Sequence, residues 1–127
     1  MLQNFIQGYI ACALWSSTDS KDVPLDANYT KDDFASGEAI ERIVKDCSEF
    51  YYANKALLER YCLEVNEGDG DPWATAGHDF WLTRNGHGCG YFDRGGVSDE
   101  VGDALTEQCK KAGECHIYES EGFLYFY

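Results

Sequence analysis

The side chains that could do chemistry are gathered in one stretch. Residues 77–94 hold His78, Asp79, Arg84, His87, Cys89, Asp93 and Arg94 among Phe80, Trp81, Leu82, Tyr91 and Phe92. His78, His87 and Cys89 are of the types that bind zinc, but such a site needs three or four ligands that converge. Neither C-x-x-C nor H-E-x-x-H spacing occurs, so no metal and no other cofactor is expected. A general base would be His78 with a carboxylate to orient it, and Asp79 is its neighbour. Adjacent residues of a strand point to opposite faces, so as strand residues the two cannot serve each other. A partner would have to come from elsewhere, such as Asp93, Arg94 or His116.

A strand is what the pattern suggests. Asn85-Gly86 stands between two alternating aromatic runs, and a two-residue hairpin turn favours that pair because both positions need positive φ. The spacing predicts a β-hairpin over residues 77–94 with Arg84 opposite His87 and Phe80 opposite Tyr91. One face then carries Phe80, Leu82, Arg84, His87, Cys89 and Tyr91. The other carries Asp79, Trp81, Thr83 and Phe92, with Gly88 and Gly90 opposite Thr83 and Trp81. Glycine weakens a strand unless a large side chain lies across it or a ligand comes close, so Trp81 is expected over the glycines. Phe80, Leu82, Cys89 and Tyr91 read as scaffold, and Arg84, Asn85, Gly86 and His87 as an exposed tip. A ligand site on this hairpin would use His78, Trp81, Arg84, Asn85 and His87.

Other elements must position it. Leu2, Phe5, Ile6, Tyr9, Ile10, Ala13 and Leu14 recur at helical spacing, ending near Ser16-Ser17. Residues 18–28, with Pro24, read as a loop. Thr30 and Asp33 have the form of a capping box, with Asp for the usual Glu, and Tyr29 and Phe34 stand where a hydrophobic staple would join. A second helix is expected from Ser36, with an apolar stripe of Ile40, Ile43, Val44, Cys47, Phe50 and Tyr51 that continues to Cys62. A break is expected at residues 53–55, because an unbroken helix would be unusually long. Glu38 with Arg42 and Glu41 with Lys45 are placed to pair along it. Residues 64–75 read as a loop. Ser98 is a good N-cap for a last helix that buries Val101, Ala104, Leu105, Cys109 and Ala112 and stops at Gly113. Residues 115–118 and 123–127 alternate as a second hairpin around residues 119–122. The expected fold is a single α+β domain over residues 1–127, a four-stranded antiparallel sheet of two hairpins with helices on one face.

Composition narrows the function. Of 127 residues, 23 are Asp or Glu and 10 are Lys or Arg, a formal net charge of −13. Such a charge keeps a chain off nucleic acid and anionic lipid. It leaves a basic protein or nucleoprotein complex as a partner, or no partner at all, since many soluble proteins are acidic. The 44% hydrophobic content is ample for a core. Six cysteines are widely spaced, three of them at apolar helical positions, and Met1 to Trp15 lacks the form of a secretory signal, so reduced thiols in the cytoplasm are expected. Residues 67–71 lack the pattern of a calcium loop. Acid falls in three sets: an early one with Asp32 and Asp33; a middle one of Glu64, Glu67, Asp69 and Asp71; and a late one of Asp99, Glu100, Asp103 and Glu107. Carboxylates so spaced can resemble a phosphate backbone to a basic groove, with a strong dependence on salt.

The run Ala-Gly-His-Asp-Phe-Trp-Leu-Thr-Arg-Asn-Gly-His-Gly-Cys-Gly-Tyr-Phe-Asp over residues 76–93 resembles the signature of small acidic proteins of bacteriophages and mobile elements. Residues 5–29 and 105–114 fit the same pattern. Cys89 stands where a small residue is usual, and residues 95–101 differ. The resemblance implies an origin and transfers no catalytic residue. What it implies of function is a non-enzymatic inhibitor of a host nucleic-acid-binding protein, of anti-CRISPR or antirestriction type, acting in the host cytoplasm. The alternative is a small enzyme or ligand-binding protein that uses the polar face of residues 77–94.

Overall fold

In the computed structural model, which describes residues 1–34, 37–66, 68, 70–87 and 90–126, the N-terminal apolar spacing becomes α1 (Leu2–Ser16), burying Phe5, Tyr9, Cys12 and Ala13. Thr30 caps a short 3-10 turn, Lys31–Asp33, by the reciprocal box expected: the Asp32 N–H donates to Thr30 Oγ1 at 3.2 Å and the Thr30 N–H to Asp33 Oδ2 at 2.8 Å. The predicted break divides α2 (Gly37–Ala53) from α3 (Lys55–Glu64) at Asn54. Ser36, where α2 was expected to begin, lies outside the described residues. Arg42 and Lys45 pair forward with Asp46 and Glu49, not back with Glu38 and Glu41.

The hairpin expected at residues 77–94 is a helix. α4 (Pro72–Arg84) starts within the stretch read as a loop, where Asp71 Oδ1 accepts from the N–H groups of Trp73 and Ala74 and Pro72 occupies the first helical position. Asn85-Gly86 closes it. The Gly86 N–H donates to the Thr83 carbonyl at 3.2 Å and the His87 N–H to that of Leu82 at 2.9 Å, with Gly86 at φ 72°. This is a Schellman cap, which needs the same left-handed glycine as a hairpin turn. Period misled because α4 is walled in. Thr75, Ala76, Asp79, Phe80, Trp81, Leu82 and Arg84 are all buried, and a helix buried around most of its circumference shows no apolar stripe. Trp81 does not lie over Gly90; it packs edge-on against Tyr9, and its Nε1 donates to Ser16 Oγ at 2.8 Å. Gly90 abuts Thr83, and Gly88 and Cys89 lie outside the described residues.

The last helix and hairpin follow expectation more closely. α5 (Asp99–Ala112) is capped by Ser98 and ends at Gly113 with φ 76°. β1 (Ile117–Ser120) and β2 (Phe123–Phe126) pair antiparallel, Ile117 with Phe126 and Ser120 with Phe123. Glu119 and Ser120 are therefore strand residues, and the turn is Glu121-Gly122 alone, both at positive φ. These two strands are the only ones among the described residues. The four-stranded sheet is thus replaced by a mainly helical fold with one hairpin.

α4 is its axis. A Cβ on Gly8 would strike the Ala74 carbonyl, and one on Gly77 the Phe5 carbonyl, so α1 and α4 meet backbone to backbone. The pairing of Asn4 with Asp71, Gly8 with Ala74 and Ser16 with Trp81 advances along both helices together, which makes them parallel. Phe80 stacks on Phe50 at 4.1 Å between ring centres and also meets Phe5 and Tyr9. Tyr91 follows α4 in a short 3-10 turn, Tyr91–Asp93, and returns its hydroxyl to the Ala76 carbonyl at 2.6 Å.

Candidate functional site

Two polar clusters sit on α4, one turn and a half apart. The first centres on Asp79, which has no exposed surface. A buried carboxylate must be paired and hydrogen-bonded. Arg94 binds it through both Nε, at 2.9 Å from Oδ2, and Nη2, on Oδ1, while the Tyr61 hydroxyl donates to Oδ2 at 2.7 Å. On a helix successive residues turn by about 100°, so His78 and Asp79 are not opposed as they would be in a strand. His78 Nδ1 lies 3.5 Å from Asp79 Oδ1. The pairing excluded by the strand reading is therefore present, and Arg94 reaches Asp79 from outside the helix.

His78 is also at a surface. Its ring stacks on Trp15, 6.1 Å between centres, and lines a cleft of about 300 Å³ between α1 and α4. Gly8, Ala11 and Ala74 form the apolar part of the cleft; Asp71, Thr75 and Arg94 the rest of the polar part. Behind it, burial pushes the Cys12 thiol up to about 12, with the charge of Asp79 adding to the effect. Burial and then Asp79 likewise push the Tyr61 phenol up. A thiol so raised is no nucleophile at neutral pH. The cluster can bind and orient.

The second cluster is closed. Arg84 Nε donates to the Gly113 carbonyl at 2.8 Å and Nη2 to that of Ala112 at 3.1 Å, at the carbonyl end of α5. Nη1 reaches Asp46 Oδ2 at 2.8 Å and the Tyr9 hydroxyl at 3.0 Å, and the guanidinium lies 5.2 Å from the centre of the Phe80 ring. Asn85 is buried too, donating to the Trp81 carbonyl and accepting the Cys115 N–H at 2.8 Å. Arg84 and Asn85 are thus not an exposed tip, although Gly86 and His87 are exposed. Of the five residues expected to form a ligand site, Trp81, Arg84 and Asn85 belong to the interior. His78 and His87 line separate clefts.

The acidic residues divide by task. Asp33 is held in the Thr30 capping box with Asp32 exposed beside it, and Asp71 caps α4 while its Oδ2 accepts from Asn4 at 2.7 Å. Glu64 accepts the Ser98 N–H at 2.8 Å and, with Glu100, flanks Arg60. The Ser98 N–H holds the Glu64 carboxyl below its usual range, and Arg60 does so for Glu100. Lys110 does the same for Glu107 from 2.8 Å. Asp99, Glu100, Asp103 and Glu107 are all exposed, on the side of α5 opposite buried Val101, Leu105 and Cys109. Glu67 and Asp69 lie outside the described residues.

No protein-family model, no curated protein and no solved structure matches the chain. Among the described residues no three His, Cys, Asp or Glu side chains stand together to hold a metal, and no helix is long and apolar enough to cross a membrane. Cys12, Cys47, Cys109 and Cys115 are buried free thiols and Cys62 is half-buried. Reading the sequence for strands missed Asp79 as a partner of His78, and with it Tyr61, Trp15 and the cleft. Asp71-Pro72 was the available signal: taken as N-cap and first helical residue, it puts Asp71, Thr75 and His78 on one side of a helix.

Proposed function

We propose that the protein is a non-enzymatic binding protein whose acidic surface engages a basic partner. The observation that carries this is the outer side of α5, where Asp99, Glu100, Asp103 and Glu107 share one exposed face of a chain with formal net charge −13. Such a face steers association with a basic surface and repels nucleic acid. The buried ion pairs do not compete with this reading, since Asp79 and Arg84 are engaged inside the protein. In the form that the phage-type resemblance adds, the partner is a host nucleic-acid-binding defence or DNA-processing protein. The chain then acts as an inhibitor in the host cytoplasm, occupying the groove that nucleic acid would fill.

The test is capture of host proteins on the immobilised chain at low and at high salt. It is run beside a variant carrying Asp99→Asn, Asp103→Asn and Glu107→Gln. A basic partner retained at low salt, released at high salt and lost in the variant is the expected result. A partner held equally by the variant at both salt levels would overturn the electrostatic reading.

A further inference from the structure

We infer that the cleft between α1 and α4 receives an arginine side chain of that basic partner, an inference that rests on the acidic-surface reading. The cleft is open to solvent and holds about 300 Å³, room for one long side chain. At one end stands the Asp71 carboxylate, fixed by the Trp73 N–H at 2.9 Å and by the Asn4 amide at 2.7 Å. At the other end Trp15 extends the His78 side of the cleft, its indole stacked on the imidazole yet 58% exposed.

The charges facing the cleft favour a cation. Arg94 is the one permanent cation among its lining residues, and the buried carboxylate of Asp79 neutralises it through two hydrogen bonds. Asp71 then sets the local sign, in the field of a chain with net charge −13. Gly8, Ala11 and Ala74 offer an apolar floor for the methylene stem. A planar guanidinium stacks on the Trp15 indole at one end of the cleft better than an ammonium does, while the Asp71 carboxylate at the other end attracts either cation through its field. Arginine is therefore favoured over lysine. Residues 94–98 connect this cleft to the start of α5, so the pocket and the acidic face can serve one partner.

Calorimetric titration of the full chain with an oligoarginine peptide and an oligolysine peptide of equal length tests the inference. Trp15→Ala removes the stacking surface from an exposed position, and Asp71→Asn removes charge while keeping an N-cap acceptor. Circular dichroism confirms that each variant is folded, and Ala11→Leu, at an exposed position, fills the cleft without touching charge. The expected result is tighter binding of oligoarginine than of oligolysine, with each variant weakening oligoarginine by about tenfold. Asp99→Asn with Asp103→Asn and Glu107→Gln should weaken both peptides alike. If the three cleft variants bind oligoarginine as the parent does while the α5 variant loses it, the cleft inference is wrong and the acidic face stands. If neither peptide binds the parent chain, both are wrong.

Discussion

The two ends of α4 hold similar residues to opposite ends. Toward the N-terminus, Asp71, Thr75 and His78 border an open cleft, and the helix is fixed to α1 by backbone contact at Gly8 and Gly77. Toward the C-terminus, Arg84 and Asn85 are sealed in, and polar groups do the fixing, to α5, α2 and the start of the last hairpin. A guanidinium and a carboxylate occur in both places. What separates a possible site from a structural clamp is whether a neighbour of the ion pair reaches solvent. His78, an imidazole, does so beside Asp79; beside Arg84 on α4 the residue at the surface is Thr83, which offers a hydroxyl and no titratable group.

Alkaline pH should weaken both ends, and it is the largest effect expected. Burial pushes the thiols of Cys12, Cys47 and Cys109 and the phenols of Tyr9, Tyr61 and Tyr91 upward. An acid raised in the folded state binds its proton more tightly there than in the unfolded chain. Its contribution is complete below the unfolded pKa, about 8.5 for a thiol and about 10 for a phenol. It is lost as pH climbs from there toward the folded value, about 12 for Cys12. Denaturation midpoints should hold level through neutral pH and fall above about 8.5; a midpoint unchanged into the phenol range would contradict the burial described.

Arg84→Ala comes next. It removes the partner of Asp46 and uncovers the last carbonyls of α5, and breaking a buried pair by deleting one side costs about 3–5 kcal/mol. Asp79→Asn should cost less, because asparagine keeps a carbonyl oxygen for Arg94 and Tyr61, whereas alanine at 84 removes every hydrogen bond of the guanidinium. Equal losses in urea denaturation would mean that the two clusters do not differ as described. At the joint between the ends, Gly77→Ala adds only a methyl, but its contact is a carbonyl that cannot swing away. Overpacking of this kind costs about 1–3 kcal/mol. Gly113→Ala is the control for space, since a Cβ there meets nothing, although its φ of 76° still strains alanine.

Much of this architecture was legible in the residues, and the failure was local. α1, the Thr30 capping box, the break before Lys55, the Ser98 cap and the last hairpin followed from spacing and cap chemistry, because each has solvent on one side and so a period to read. α4 has none. Phe80, Leu82 and Arg84 alternate, yet all three are buried in a helix, as are the intervening Trp81 and nearby Asp79. Asn85-Gly86 and Glu121-Gly122 look alike in sequence and use the same left-handed glycine, one to end a helix and one to turn a hairpin. The distinguishing residues lie fourteen positions upstream of Asn85-Gly86, at Asp71-Pro72. The site suffered from the same error, since the face on which His78 lies depends on the element that carries it.

Asp71 separates capping from charge. Asp71→Ala should cost about 1 kcal/mol through the lost N-cap, whereas Asp71→Asn should cost only a few tenths. Thermal denaturation of the two variants side by side checks this, and equal losses would show that the carboxylate charge, not the acceptor, holds the start of α4.

The smallest effect is the one that marks the open end. His78→Gln keeps a polar side chain of similar reach at a position where the ring is one-third exposed. Its contact with Asp79 Oδ1, at 3.5 Å, is the weakest of the four polar contacts to that carboxylate. Arg94 and Tyr61 continue to satisfy the buried charge without it. Stability should therefore change by no more than about 0.5 kcal/mol, as for surface positions. The indole of Trp15, by contrast, loses the ring it stacks on, so its fluorescence should shift. A stability loss comparable to that of Arg84→Ala would mean that His78 is as structural as Arg84, and that α4 has two clamped ends and no open one.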